Sequence, residues 1–487
     1  MASGSLLRKM VSYTPAVVVP AALQFLTVIV FTHLISPEAF GRYALVMVTV
    51  QLLDIVLFGW LRSGEMRFYE PRAAAGAVPA LFANTQAMLL AIGVLVLGAG
   101  IPAALWLVPD RALALAMASG LVLLVLRAAL LQVLNRHRVR GEALRYSMIE
   151  IGRASVSLLT AVLLAVLLGL EEQALLLGAV AVFALILLAD LPAAAVRFSG
   201  GAFDGATTRA CLAFGLPATL AVVLADLVAL SDRYIIGLFW GEEAVGVYSV
   251  AGNLSRQSIA LLFSVTLVAA YPMLMRAFER EGMESARRRL RENFAIVLAL
   301  CVPATVGLAL TAEHVAVACL GEQYRAAGAL MPWLAVAAFL SGVKIHVYDH
   351  VFHLKRRTGL LLLLNVPIAV LNVGLNLLLV PAWGVAGAMT AMLASYAGGL
   401  VLTICAATWL MPVPVPVDTV WRSLLAAGVM AVALILPAYP LTPAGLAAMV
   451  AAGVAVYAAA GLALNLLGCR TFVLAAMQRM AQSARSS

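Results

Sequence analysis

Residues 158–170 read LLTAVLLAVLLGL, and residues 174–189 read ALLLGAVAVFALILLA. Neither run holds a charged side chain, and only Glu171, Glu172 and Gln173 separate them. With its flanks, each approaches the ~20 residues that cross a bilayer as a helix. Backbone groups in hydrocarbon have no water to bond to, so a spanning segment must be a helix or a strand of a closed barrel. Barrel strands alternate apolar and polar residues over ~10 positions. These runs do not alternate, and they predict two membrane helices joined by a short polar turn.

The same pattern fills the chain. It predicts an all-α membrane protein of about fourteen transmembrane helices, at 11–35, 42–61, 78–106, 112–134, 147–169, 174–196, 211–238, 244–275, 294–312, 329–352, 359–380, 384–408, 423–440 and 443–467. Of the 487 residues 64% are hydrophobic and 11% charged, against about 25% charged in soluble domains. Such a chain cannot cover a water-facing surface, so lipid is its solvent. A net charge of +9 would point to nucleic acid in a soluble protein. Here it reads as arginine facing an anionic leaflet, and no nucleic-acid partner is expected. Cys211, Cys301, Cys319, Cys405 and Cys469 are widely spaced with no CxxC pair, which argues against a disulfide framework or a zinc site. Val11–Ile35 is too long for the apolar core of a cleaved signal and reads as an uncleaved anchor.

Lysine and arginine set the expected orientation. At the ends of the spans and between them, Arg42, Arg111 and Arg325 fall on one side and twenty-four fall on the other, among them Arg62, Arg67, Arg72, Arg136, Arg356, Arg479 and Arg485. The rich side is the cytoplasmic one, so both termini are expected in the cytoplasm of a multi-pass protein of the cell inner membrane. The poor-side loops are short and carry Glu171, Glu172, Glu242 and Glu243. The charged segment Arg276–Asn293 is expected along the inner leaflet or as a solvated loop.

Internal repetition divides the chain. Pro37-Glu38-Ala39-Phe40-Gly41-Arg42-Tyr43 opens the second predicted helix, and Glu242-Glu243-Ala244-Val245-Gly246-Val247-Tyr248 opens the eighth. A fainter echo, Pro381-Ala382-Trp383-Gly384-Val385, opens the twelfth. The expected organisation is an N-lobe at 1–203, a pseudo-symmetric C-lobe at 204–410, and a further helix pair with a tail at 411–487.

The first of these stretches, with Ile35-Ser36 before it, resembles the polysaccharide-export and Wzx-type lipid-linked oligosaccharide flippases of the MOP (multidrug/oligosaccharidyl-lipid/polysaccharide) exporter superfamily. So do Phe214-Gly215-Leu216-Pro217, Ser231-Asp232-Arg233-Tyr234-Ile235-Ile236-Gly237 and Ala244–Ala251. The resemblance implies two six-helix lobes of MATE-like fold, a central cavity and alternating access. It also implies a polyprenyl-diphosphate-linked oligosaccharide as substrate, moved for cell-surface polysaccharide biosynthesis.

Ionisable side chains deep in a membrane face a cavity or a partner. Arg256 shares a helix face with Asn253 and Gln257. It either meets an anionic substrate head or pairs with Asp54 or Asp226. Lys344 is a cavity cation or snorkels. Arg153 follows Glu150 by three residues and pairs with it by default, and Arg127 can snorkel. Arg256, Lys344, Arg153, Arg127, Asn253 and Gln257 are the substrate-binding candidates. Asp54, Asp226, Asp232 and Arg233 are the gating or ion-coupling candidates; adjacent Asp232 and Arg233 point apart and are not expected to pair. His346, Asp349 and His350 share a face at a helix end, where polar residues are ordinary, and no metal is expected. Asn365, Asn372 and Asn376 form a stripe suited to interhelical hydrogen bonds. No Walker A, GxSxG or HExxH motif is present, and no cofactor is expected.

A flippase, not an enzyme, is therefore the leading expectation. Membrane lipids, a polysaccharide polymerase and glycosyltransferases are its expected partners, and the chain is expected to act as a monomer. A cation-coupled multidrug exporter and a lipid II flippase of the same superfamily stand as alternatives. A membrane polysaccharide polymerase or ligase fits poorly, because the loops on the basic-poor side are short.

Overall fold

The computed structural model describes residues 2–198, 203–355, 357 and 359–471. Arg356, Arg479 and Arg485, which entered the orientation argument, lie outside the described residues. The described elements are helices: α1 Ala2–Leu34, α2 Pro37–Ala74, α3 Val78–Leu95, α4 Ile101–Leu107, α5 Arg111–Val139, α6 Ala143–Leu168, α7 Glu172–Phe198, α8 Gly205–Glu281, α9 Met283–Cys319, α10 Ala327–Val343, α11 Asp349–Leu354, α12 Gly359–Leu410, α13 Val417–Ile435 and α14 Pro443–Ala463. Wide π-type turns at Val96–Gly100 and Lys344–Tyr348 join α3 to α4 and α10 to α11.

Local chemistry sets the helix starts. Ser36 accepts the Ala39 N–H at 3.2 Å ahead of Pro37, whose missing N–H is one the first turn leaves unbonded anyway. Asp110 accepts from Leu113 at 2.8 Å to open α5, and Thr442 accepts from Gly445 at 3.1 Å to open α14.

Eleven helices among the described residues are long and apolar enough to cross a membrane, against about fourteen expected. The expected breaks between the seventh and eighth and between the eleventh and twelfth spans are single glycines inside longer helices. α8 is interrupted at Gly241 (φ 79°) and α12 at Gly384 (φ 58°), both in the left-handed region that suits glycine.

Several boundaries differ from expectation for one reason: apolar runs end before helices do. α2 has 38 residues, about 57 Å at 1.5 Å per residue, so it outruns a ~30 Å hydrocarbon layer. Arg62, Arg67 and Arg72 therefore lie on a helix and not in a loop. Arg136 is likewise inside α5, and buried. The charged segment 276–293 is helical and not a loop. It is the end of α8 and the start of α9, joined at Gly282 (φ 86°).

The chain forms two compact units, Met1–Ser249 with Ala369–Ala388, and Val250–Ile368 with Met389–Ser487. In the first, α2 packs against α3, α5 and α7, and α1 against α6, around Phe58, Leu61, Phe82 and Leu124. In the second, α9 carries α10, α13 and α14 around Phe294, Val297, Val351 and Phe352. Lipid is as apolar as leucine, so close packing holds these helices together, and small residues permit it. A Cβ on Gly178 would lie 2.9 Å from the Ala161 backbone nitrogen.

Candidate functional site

In the first unit, three arginines meet at one depth. Along their helices, Asp54 stands ~26 Å from the start of α2, Arg127 ~24 Å from the start of α5, and Arg153 ~23 Å from the end of α6. These three helix ends are the arginine-poor ones. Arg62 reaches back along α2 to hold Asp54 with both nitrogens, at 3.0 and 2.9 Å. Arg153 holds Glu150 at 2.6 Å, as its spacing predicted, and lies over the Phe183 ring at 5.6 Å. Arg127 stands within electrostatic reach of Asp54, Arg153, Arg62 and Tyr43. Its Nε and that of Arg153 are buried with no hydrogen-bond partner among the described residues. Among the described residues three guanidiniums thus gather here, two of them paired with Asp54 and Glu150. Asp54 is 3% exposed, while the Arg62 and Arg153 side chains are 19% and 29% exposed. Asp54 is sealed, while Arg62 and Arg153 remain partly exposed.

Arg62 was missing from the candidates because the apolar run stops there. Asp54, assigned to gating or coupling and considered as a partner for Arg256, is the anchor of Arg62. Asp226 accepts from Gln51 at 3.4 Å.

A second charged group lies further along α2 and α5. Glu65, fully buried, accepts from Thr85 (2.5 Å), Gln132 (2.8 Å), Asn135 (3.2 Å) and Arg136 (3.0 Å). Arg136 also lies over Phe82 at 4.6 Å. This buried network ties α2, α3 and α5 together.

At the arginine-poor end, the two repeat motifs face each other. A Cβ on Gly41 would strike the Glu242 carbonyl and lie 3.1 Å from the Gly246 nitrogen. A Cβ on Gly246 would strike the Pro37 carbonyl and lie 3.1 Å from the Gly41 nitrogen. Beside this reciprocal contact, Arg42 bridges Glu38 (2.8 Å), Glu172 (3.3 Å), Glu242 (3.2 Å) and Glu171 (3.7 Å). Glu171, Glu172 and Glu242, read from sequence as loop decoration, thus converge with Glu38 on one guanidinium. The third echo joins them, since Trp240 donates to the Val380 carbonyl at 2.8 Å and packs on Gly384.

Asp232 and Arg233 are buried nearby. Tyr248 donates to Asp232, and Arg233 donates Nε to Ser249 at 3.1 Å. The neighbours do approach each other, at 3.9 Å, contrary to expectation. Ser231 donates to Asn372 at 3.1 Å, which ties the expected asparagine stripe to α8.

In the second unit, Arg256 donates Nε to the Gly252 carbonyl one turn earlier, at 3.3 Å. Asn253 and Gln257 share its helix, α8. Lys344 sits in the wide turn and pairs with Asp349 at 3.1 Å, so its charge is balanced locally. His346 stacks on Phe263 at 5.0 Å. Among the described residues no three side chains are placed to hold a metal ion.

The family model described as "Polysaccharide biosynthesis protein" matches residues 30–328, more than half of the chain. The chain belongs to the polysaccharide biosynthesis protein family. The family match takes in the arginine cluster, the Arg42 group and Arg256, and stops short of Lys344. Two relatives from Haloferax volcanii are named "Probable flippase AglR" (26% identical over 211 residues, 42% of this chain and 43% of that protein) and "Probable low-salt glycan biosynthesis flippase Agl15" (24% over 172 residues, 35% and 36%). The chain spans less than half the length of these curated relatives. Among solved structures, the lipid II flippase MurJ in an inward closed conformation is similar with a TM-score of 0.73 at 12% identity, over 93% of this chain and 98% of that one. An inward-facing MATE transporter of the MOP superfamily has a TM-score of 0.64 at 17% identity, over 81% and 98%. These likenesses establish a MurJ- and MATE-like fold in a multi-pass membrane protein.

Proposed function

We propose that this protein is a flippase that carries a polyprenyl-diphosphate-linked oligosaccharide across the cytoplasmic membrane, with both termini in the cytoplasm. The observation that carries the reading is the Arg62–Arg127–Arg153 cluster, with two buried Nε donors that have no partner among the described residues. A guanidinium in hydrocarbon costs at least ~2.5 kcal/mol unless water, a partner or a ligand receives it. A diphosphate is the matching receiver, because its oxygens accept the planar arginine donors in pairs. No bond need be made or broken. The lipid tail stays in the bilayer while the sugar head follows the phosphates.

Alternating access fits the sealed contact of the two repeats at the arginine-poor end, which would part when the substrate leaves there. In this reading Asp226, Asp232 and Arg233 serve gating or ion coupling, and Arg256, with Asn253 and Gln257, offers the C-lobe's cation to the substrate. The glycosyltransferases that build the glycan and the polymerase that consumes it are the expected partners. A lipid II flippase is the second reading, favoured by the likeness to MurJ; its cargo carries the same diphosphate. A multidrug exporter for cations fits less well, because the cluster would repel them.

The test is export of a lipid-linked glycan in cells. Arg127→Gln is expected to abolish export while the protein still inserts, and Arg127→Lys to restore it in part. Arg256→Ala is expected to lose export in the same way. Normal export by Arg127→Gln would end the proposal for this site. Met283→Cys is expected to resist impermeant thiol reagents added outside intact cells; efficient labelling would reverse the topology.

A further inference from the structure

We infer that Asp54 is a built-in competitor for the substrate's phosphate: it occupies Arg62 in the empty protein, yields it on loading, and reclaims it to expel the anion. The inference rests on the reading of the arginine cluster given above.

The geometry is that of a stand-in ligand. A carboxylate that holds one guanidinium through two parallel bonds, at 3.0 and 2.9 Å, makes the contacts a phosphate would make. Asp54 is 3% exposed, whereas the Arg62 side chain is 19% exposed. An anion can therefore approach Arg62 without first reaching Asp54. It would arrive beside Arg127, whose Nε has no partner among the described residues. The charged and titratable groups facing Arg127 are Asp54, Arg62 and Tyr43 on α2 and Arg153 on α6. Glu150 holds Arg153 through a single hydrogen bond at 2.6 Å. Two of the three cations thus carry an internal anion at rest, and the third, Arg127, has no carboxylate bonded to it among the described residues.

This arrangement solves a transport problem. A site with three open arginines would hold a diphosphate too tightly to release it. When the phosphate takes Arg62, Asp54 is left buried beside an anion and without its two hydrogen bonds, which is strongly unfavourable. That strain lowers the affinity of the loaded state and drives release. Asp54 thereby sets turnover by opposing binding, and Glu150 does the same at Arg153.

The experiment uses the purified full-length protein in lipid nanodiscs with citronellyl diphospho-N-acetylglucosamine as probe, and reconstituted vesicles to follow flipping of a fluorescent analogue. Asp54→Asn keeps the size of the side chain and removes its charge. It is expected to bind the probe at least ~10-fold more tightly, equivalent to about 1.4 kcal/mol, while flipping falls by a similar factor. Asp54→Glu should restore flipping and wild-type affinity in part. A purely structural residue would lose both binding and flipping. Equal or weaker binding by Asp54→Asn overturns the inference, even with Arg127→Gln defective as expected. If Arg127→Gln binds as wild type does, the reading of the cluster itself falls. Should Asp54→Asn fail to fold, Glu150→Gln carries the same expectation of tighter binding and slower flipping, and the same refutation.

Discussion

Gly41 and Gly246 make opposite demands on a substitution from those of most helical glycines. In an open helix position, Gly→Ala gains up to ~1 kcal/mol from the restricted unfolded chain and the better helix former. At Gly41 the new Cβ would strike the Glu242 carbonyl and lie 2.6 Å from its carbon, where ordinary contact begins at 3.4 Å. The obstacle is backbone, which cannot swing aside, so the facing segments must separate by upward of ~0.8 Å. Overpacking of this kind costs about 1–3 kcal/mol. The same movement stretches the 3.2 Å pair between Arg42 and Glu242 to the edge of ion-pair range. The net expectation for Gly41→Ala is a loss of about 2 kcal/mol. Gly152→Ala in α6 is the control, because nothing lies within 4 Å of its Cβ position. Thermal denaturation of the purified variants in detergent should lower the Tm of Gly41→Ala by several degrees and leave Gly152→Ala unchanged or higher. Equal stability of the two would refute the close approach at Gly41.

Other outcomes follow from the charged groups. Arg42→Ala strands the buried Glu172 carboxylate beside Glu171 and Glu242, and should destabilise the protein by about 2–3 kcal/mol in the same assay. Glu65→Ala leaves Arg136 buried without its partner; a loss of about 3–5 kcal/mol is expected, larger than for any single change in the Arg62 group, and an Arg136→Met/Glu65→Leu double variant should recover much of it. Outside the spans, burial alone would raise the Glu142 pKa, but the His137 hydrogen bond and then Arg145 and Arg140 more than offset this and hold it below the ordinary 4.5. A carboxyl depressed in the folded state contributes stability above its unfolded value and loses it as pH falls through the folded one. Glu142→Gln should therefore flatten the acid limb of the stability profile below about pH 4.5, and an unchanged limb would remove Glu142 as its source.

The helices were legible because hydrocarbon admits so few backbone solutions. Their true ends were not. Past Trp60 the apolar pattern of α2 gives way to Arg62, Glu65 and Arg67, and polarity in a loop and polarity on a helix buried by its neighbours look alike in sequence. Glu65 and Arg136 are 71 positions apart, and only the packing of α2 on α5 brings them together. The same holds for Asp54. Its depth was evident from the surrounding apolar residues, but its partner lies eight residues on, beyond the i, i+3 and i, i+4 spacings that sequence reading uses. Glu150 and Arg153, three apart, were readable for that reason. The repeat at Glu38 and Glu243 was also plain in the sequence, whereas the contact between its two copies needed three dimensions.

That contact has a bearing on ancestry. Gly41 sits on the backbone of the second motif as Gly246 sits on the backbone of the first, so each copy is both host and guest. Contacts of this kind are isologous, the form taken where two identical subunits meet across a dyad. A single chain that carries one inside itself has the anatomy of a fused homodimer. In a homodimer, any change in such a motif strikes both faces of the joint at once. Within one chain the two copies are free to differ, and they do: where the first carries Arg42, the second carries Val247. One cation now serves a seam that two identical subunits would have had to line with a pair.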